Sequence, residues 1–556
     1  MSETRSALLA FGLCFAILYG FNYLSSPSQS VNPLVRELSE PEKPVFLDSP
    51  QVEMPRDEAL KLAPRVRIKS DSVVGSICLN GAKLDDWSLA KYKKTTASNS
   101  DPVDLLSPSG ERCYAEVSWI GHTDKQNVEV PSSDAIWTLV DGEELDPEHP
   151  VILEWGDRLK IRRTFSIDKD YMLTITDHVT NNTGADIKIA PQSEVIQKVG
   201  STTSSSVHEG GIGYFDNVLE EISISKLNKS GSGKRLDASG SDGWCGFTNK
   251  YWLTAFIIKH PSQVSIFRDD MYGVQRCRLM GPLQSIKDGT SIEFTTQFFA
   301  GAKSLRVLDH YRKTYHIKKF DLAVDFGWLY FITKPLFYLL QIIHSFVGNL
   351  ALAILILTIL SKVVLFPTSM ASQRSMMKMR DLQPKVTALK KRYNDDKVRL
   401  QQELLLLYRR EKVSPISGFL PLLIQMPIFF CLYKVFSINI EMRHAPLGLW
   451  ISDLSAPDPT SLFNLFGLIP WSVPSFLQIG VLPLLMCGTM ILQQKLSPQP
   501  SEPAQTKMMY IMPILFLFMF SSFPAGLVLY WMISNVLSIC QQVYINNKWD
   551  NRSRAE

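Results

Sequence analysis

Lys362 is the residue with the most chemistry to offer, because it stands inside the apolar run 346–366 (FVGNLALAILILTILSKVVLF). About 20 such residues cross a bilayer core. A cation held at mid-membrane costs on the order of 2.5–3.5 kcal/mol, so such residues usually face a wet cavity. On a helix, Thr358 and Ser361 share its face at i−4 and i−1. In the last apolar run, Tyr530, Ser534, Ser538 and Gln541 fall at i, i+4, i+8 and i+11, bordered by Asn535 and Gln542. A third run carries Gln425 beside Met426 and Pro427. Two readings compete. Lys362 lies four residues before Phe366, close enough to snorkel to an interface, and lone Ser or Thr residues commonly pack membrane helices. Matching polar faces on several helices are better explained by one hydrated cleft. Such a cleft thins the hydrocarbon that a polar segment must cross, and its cation attracts acidic residues, with no covalent step.

Those faces need spans to carry them. Candidate spans are 7–24, 346–366, 418–436, 476–494, 508–523 and 525–544. Segment 327–344, interrupted by Lys334-Pro335, reads as a helix lying in the interface. Six spans put both termini on one side. The loop 371–412 reads as a helical hairpin turning near 394–396, kinked at Pro384. Leu382, Val386 and Leu389 form one apolar stripe, and Leu400, Leu404 and Leu407 another. Residues 371–418 carry a net charge of +7, whereas 25–328 carry −6, with 36 Lys plus Arg against 42 acids. Basic loops stay cytoplasmic, while long domains translocate largely regardless of charge. The hairpin is therefore inside with both termini, and the acidic domain outside. The basic face suits ribosomal RNA or anionic headgroups; simple retention of the loop needs no partner. The run 7–24 reads as an uncleaved anchor, and 25–50, rich in Ser, Pro and Glu, as a tether.

From about 66 to 320 the period is two. Apolar residues alternate through 159–167 and again at Tyr171, Leu173, Ile175 and Val179, and Asn181-Asn182-Thr183-Gly184 turns the chain. Many short strands predict an antiparallel sandwich. Residues 229–242 (KSGSGKRLDASGSD) read as a loop. Cys78, Cys113, Cys245 and Cys277 lie here, where disulfides are permitted, and none forms a CxxC pair. No metal or cofactor is expected.

The stretches 376–397 (MMKMRDLQPKVTALKKRYNDDK), 418–433 (GFLPLLIQMPIFFCLY), 445–459 (APLGLWISDLSAPDP) and 523–535 (FPAGLVLYWMISN) resemble the YidC/Oxa/Alb family of membrane protein insertases. Residues 243–256 (GWCGFTNKYWLTAF) resemble the periplasmic domain of Gram-negative YidC proteins. The resemblance implies a multi-domain protein: a polytopic α-helical domain of six transmembrane helices with a cytoplasmic hairpin, plus a periplasmic all-β supersandwich related to mutarotase-like domains. It divides the chain into an anchor (1–24), a linker (25–60), the supersandwich (61–326), an interfacial helix (327–345), the insertase core (346–545) and a cytoplasmic tail (546–556). It further implies a groove open to cytoplasm and lipid and closed toward the periplasm. Position 362 matches the family's groove cation, usually Arg; Lys keeps the charge and loses the guanidinium fork. Thr358, Gln425, Met426, Tyr530 and Trp531 match other positions facing the groove or its clients. The expected site is thus Lys362, Thr358, Ser361, Gln425, Met426, Tyr530, Trp531, Ser534 and Asn535. The stretch 460–475 (TSLFNLFGLIPWSVPS) is longer than the family pattern leads one to expect.

The function expected is a non-enzymatic insertase and chaperone of the inner membrane, acting alone or beside the Sec translocon and its accessory subunits. Its partners would be nascent membrane proteins, the ribosome and membrane lipids, and no DNA. No P-loop appears. A membrane-anchored periplasmic carbohydrate-binding or mutarotase-like protein is the alternative, although the spacing of its histidines picks out no acid–base pair. An ion-coupled transporter lacks its usual intramembrane carboxylates.

Overall fold

The computed structural model describes residues 55–108, 113–122, 129–198, 207–228, 235–393, 396–411, 420–467, 469, 473–474, 478–496 and 503–555. The expected anchor and most of the expected tether lie outside the described residues. Residues Arg56–Ala59, assigned to the linker 25–60, form a helical turn instead, fastened by the Arg56 guanidinium to Asp86.

Period-two alternation becomes two stacked sheets, of eleven and nine strands, almost wholly antiparallel. Strand Leu159–Ile167 shows the rule: Leu159, Ile161, Phe165 and Ile167 point into the core between the sheets. Arg163 takes an inward place in the same alternation and is fully buried. Its guanidinium donates two 2.7 Å hydrogen bonds to Asp177 and a third, of 2.8 Å, to the Val117 carbonyl. Trp119 Nε1 completes the carboxylate's shell at 2.7 Å, and the Trp137 ring lies 4.7 Å from the guanidinium carbon. The turn at 181–184 forms as expected, with Gly184 at φ +85° and the Asn181 side chain bonded to the Ala185 carbonyl. Part of the expected loop 229–242 is a strand, Leu236–Gly240, because its alternate residues register against Ser262–Ile266 at the sheet edge.

Helix α1, Leu305–Thr314, closes one end of the β domain; the Tyr311 hydroxyl accepts from the Tyr171 and Met172 amides. The helical domain follows as α2 Tyr330–Val347, α3 Leu350–Arg392, α4 Lys397–Arg410, α5 Leu420–Ile438, α6 Val481–Leu496, α7 Pro503–Phe520 and α8 Ala525–Ala555. Several expected boundaries move. Phe346 and Val347 end α2, since Gly348 caps it at φ +72° and the Asn349 side chain caps α3 by accepting from the Leu352 amide. Lys334-Pro335 does not interrupt α2. Its buried face, Thr333, Phe337, Leu340 and Ile343, packs against α3 and α5 and holds the helix together across the proline.

Helix α3 also runs unbroken through Pro367 and Pro384 into the hairpin, so span and hairpin share one 43-residue helix. Each proline costs one backbone bond, the one its missing N–H would make to the carbonyl four residues earlier, and α3 continues across both. Helices α3 and α4 pack on each other in the hairpin, with Leu382 and Val386 buried and Lys385 Nζ 3.0 Å from Glu411 Oε1. Among the described residues, α3 and the stretch Ala525–Asn547 of α8 are long and apolar enough to cross a membrane. The 16 residues of α6 reach only roughly 24 Å. Helix α8 continues through the expected tail to Ala555.

Candidate functional site

Helix α8 is the hub of the helical domain, packing on α3, α5 and α6. That arrangement turns the polar stripe of the last apolar run toward three neighbours. Lys362 is half-buried, and its Nζ donates to Ser538 Oγ at 3.0 Å across the α3–α8 contact. Ser538 in turn donates to the Ser534 carbonyl at 2.9 Å. Gln425 Nε2, from α5, donates to the buried Tyr530 hydroxyl at 2.6 Å. Asn535 Nδ2 donates to Thr489 Oγ1 on α6 at 3.2 Å. Polar side chains of three helices thus each meet one on α8.

The remaining expected residues behave differently. Thr358 is fully buried and returns its hydroxyl to the Ile354 carbonyl of its own helix at 2.7 Å. Ser361 does the same toward the Thr358 carbonyl, at 2.8 Å. Both lie on the lysine's helix without bonding to it. Trp531 stands among aromatics, its ring 4.8 Å edge-on to Phe429 and 5.2 Å from Phe520, and its Nε1 has no hydrogen-bond partner. Met426 is half-buried beside Gln425. Thr489 was missed in the sequence because it is a lone hydroxyl in the apolar part of α6, and its face is continued only by Gln493 near the end of the run. Ser538 and Gln541 were legible from their spacing; Gln541 Nε2 is buried without a partner.

One end of the helix bundle around α8 is covered by the chain that follows α5. After α5 the chain folds over the start of α8: the Ala525 and Gly526 amides donate to the Ala456 and Leu454 carbonyls at 2.8 and 2.9 Å. Asp458, buried there, accepts from Thr460, from Trp450 Nε1 and from the Leu482 amide at the start of α6. Gly480 is required at this spot, since a Cβ would lie 2.5 Å from the Asp458 carboxyl carbon. Leu462, Phe463, Leu465 and Phe466, in the long stretch after Asp458, are exposed.

The same end faces the β domain. Lys434 Nζ of α5 donates to Asp325 Oδ2 at 2.7 Å, and that carboxylate also accepts from the His208 and Gly327 amides, each at 3.0 Å. Burial alone would raise the Asp325 pKa, but the Lys434 ammonium and these donors hold it below the ordinary carboxylate value. Arg443 reaches the Lys94 carbonyl at 3.1 Å and stacks 5.6 Å from the Trp252 ring. Helix α3 exposes Leu352, Val363 and Val364, and α7 exposes Ile511, Ile514, Leu515 and Phe518.

Comparison with known proteins gives a consistent result over both domains. The family model for the 60Kd inner membrane protein matches residues 342–552, and that for the YidC periplasmic domain matches 65–339. The membrane protein insertase YidC of Rickettsia akari (strain Hartford) is 44% identical over 495 residues, covering 87% of this chain and 87% of that relative. The membrane protein insertase YidC of Rickettsia canadensis (strain McKiel) is 40% identical over 564 residues, covering 98% and 99%. Among solved structures, an active YidC insertase with its first transmembrane domain resolved covers 88% of this chain and 96% of its own, at 16% identity and a TM-score of 0.36. A galactose mutarotase related enzyme from Lactobacillus acidophilus covers 43% and 97%, at 8% identity and a TM-score of 0.31.

Proposed function

This chain belongs to the YidC family of membrane protein insertases, and we propose that it works through the polar cleft around α8, with Lys362 as the cation that receives the client. It is an inner membrane protein that inserts membrane proteins, and it is not an enzyme. The carbohydrate-binding alternative is not favoured by relatives that are insertases over nearly their whole length.

The observation that carries the mechanism is the hydrogen bond from Lys362 Nζ to Ser538 Oγ. A neutral hydroxyl is a weak partner for an ammonium, and a client carboxylate makes a charge-assisted bond roughly twice as strong. An acidic, hydrophilic stretch of the client therefore displaces Ser538 and rests on Lys362. Gln425, Tyr530, Ser534 and Asn535 hydrate its polar backbone, while Met426 and Trp531 meet apolar side chains. The flanking apolar segment leaves sideways along the exposed faces of α3 and α7. The seal built on Asp458 stops the client from passing straight through, so hydrophobic partitioning into lipid completes the transfer.

In this reading the chain has six spans, the first at 7–24, with both termini and the α3–α4 hairpin cytoplasmic. The +7 charge of 371–418 supports that orientation. The hairpin's basic face meets the ribosome or anionic lipid, and the Sec translocon is a partner for larger clients. Helix α2, with Tyr330 and Phe331 exposed and Trp328 exposed just before it, lies in the outer interface.

Site-specific photocrosslinking tests the cleft. A crosslinker at position 362 should trap a stalled nascent membrane protein, and a cysteine at 538 should react with a water-soluble maleimide added from the cytoplasmic side. Adducts at lipid-facing 364 with none at 362, or an unreactive 538, would abolish the proposal.

A further inference from the structure

Cys245 and Cys277 lie on opposite sheets of the periplasmic domain, in strands Gly243–Thr248 and Val274–Met280. Both are free, completely buried thiols, and the two strands that carry them pack against each other across the core. Packed sheets usually stand about 10 Å apart, too far for a disulfide, whose Cα atoms are roughly 4.4–6.8 Å apart. Here the sheets approach closely. Cys245 registers against Gly213, and the neighbouring Gly211 leaves so little room that a Cβ would sit 2.6 Å from Ile266 Cγ2. Ile266 is the register partner of Cys277. Gly211 on one sheet thus lets the other descend beside the place that both cysteines face.

We infer that Cys245 and Cys277 close into a disulfide that staples the two sheets together once the domain is exported. Cys113 is engaged elsewhere, its Sγ donating to the Leu105 carbonyl at 3.1 Å, and Cys78 sits beside Asp85. The oxidant is a protein disulfide of the periplasm, a compartment where such bonds persist. One cysteine, as thiolate, attacks a sulfur of that disulfide and expels a thiolate, giving a mixed disulfide. The second cysteine then attacks the first cysteine's sulfur and expels the remaining thiolate. Two electrons pass to the oxidant, and the two thiol protons end on its reduced sulfurs. Neither thiol is exposed in the folded domain, so the exchange precedes closure of the sandwich. After closure, the hydrogen bond to Cys245 and then burial push the Cys277 thiol up, which suppresses the reactive thiolate.

The test uses the full chain in its native membrane. Free thiols are alkylated in denaturant without reductant, and the digest is read by mass spectrometry. The expected result is a linked peptide pair containing Cys245 and Cys277, with Cys78 and Cys113 alkylated. In C277S, Cys245 should become alkylated, and dithiothreitol should lower the thermal midpoint of the wild-type domain while leaving that of C277S unchanged. Alkylation of both cysteines in the wild type, or a link from either to Cys78 or Cys113, overturns the inference. The outcome is independent of the role of Lys362.

Discussion

The Asp325 carboxylate and the Lys434 ammonium, 2.7 Å apart, join the last turn of the β domain to helix α5 of the helical domain. Lys303, buried nearby with its Nζ 2.9 Å from Thr248 Oγ1, feels both charges. The exported domain is therefore tied to the insertase core by a polar joint, which Arg443 reinforces through Lys94 and Trp252.

Asp325→Asn should loosen that joint. Hydrogen bonds to charged groups contribute about 1.5–3 kcal/mol, so a stability loss of that order is expected at pH 7. Because folding lowers the Asp325 pKa, its contribution is full above the unfolded carboxylate value near 3.9 and is lost as pH falls through the folded value. Thermal unfolding between pH 3 and 6 should show a flatter acid limb for D325N; identical limbs would mean the pair contributes nothing.

Lys303 gives a dependence of the same sign, but in an alkaline window. Burial, more than its neighbours' charges, lowers its pKa to about 8. Between about 8 and the unfolded value near 10.4, the unfolded chain holds a proton that the folded chain has released, so stability rises with pH. The gain should be on the order of 3 kcal/mol across that window. Lys303→Met should remove this slope relative to the wild type in denaturant titrations at pH 7.5, 8.5 and 9.5. An unchanged difference between the two proteins at all three values would refute the assignment.

The buried pair Arg163–Asp177 should be intolerant of single changes. Removing one partner strands a charge in the core, typically costing about 3–5 kcal/mol. Asp177→Asn should thus lower the unfolding midpoint strongly, whereas Arg163→Met combined with Asp177→Leu should lose less than the sum of the single variants. Additive losses in that double-mutant cycle would show that the two groups are not coupled.

Lys362→Arg should retain insertion of small two-span clients, because the charge is kept. Lys362→Met should reduce it roughly tenfold, the ratio produced by about 1.4 kcal/mol of lost attraction. Ser538→Ala removes only a resting partner and should leave insertion within about twofold of wild type, under half a kcal/mol on the same scale. Vesicle insertion assays in which the Met variant matches wild type would remove Lys362 from the mechanism.

Much of this protein was legible in local pattern. Period-two alternation marked the strands, a 3.6-residue period put Tyr530, Ser534 and Ser538 on one face, and charge separated the two regions. These signals are local because side-chain direction repeats with the backbone. Even some corrected boundaries were readable, since Gly348-Asn349 is a helix stop followed by a helix cap. What only the tertiary structure decided was partnership. That Lys362 meets Ser538 rather than a second residue of its own helix, that Asn535 finds Thr489, and that Cys245 faces Cys277 all depend on how elements distant in sequence rotate and settle against one another. The continuity of α3 through two prolines is of the same kind, because packing along its length outweighs the local preference to stop. Periodicity names the face of a helix or strand; only the packed whole chooses what that face touches.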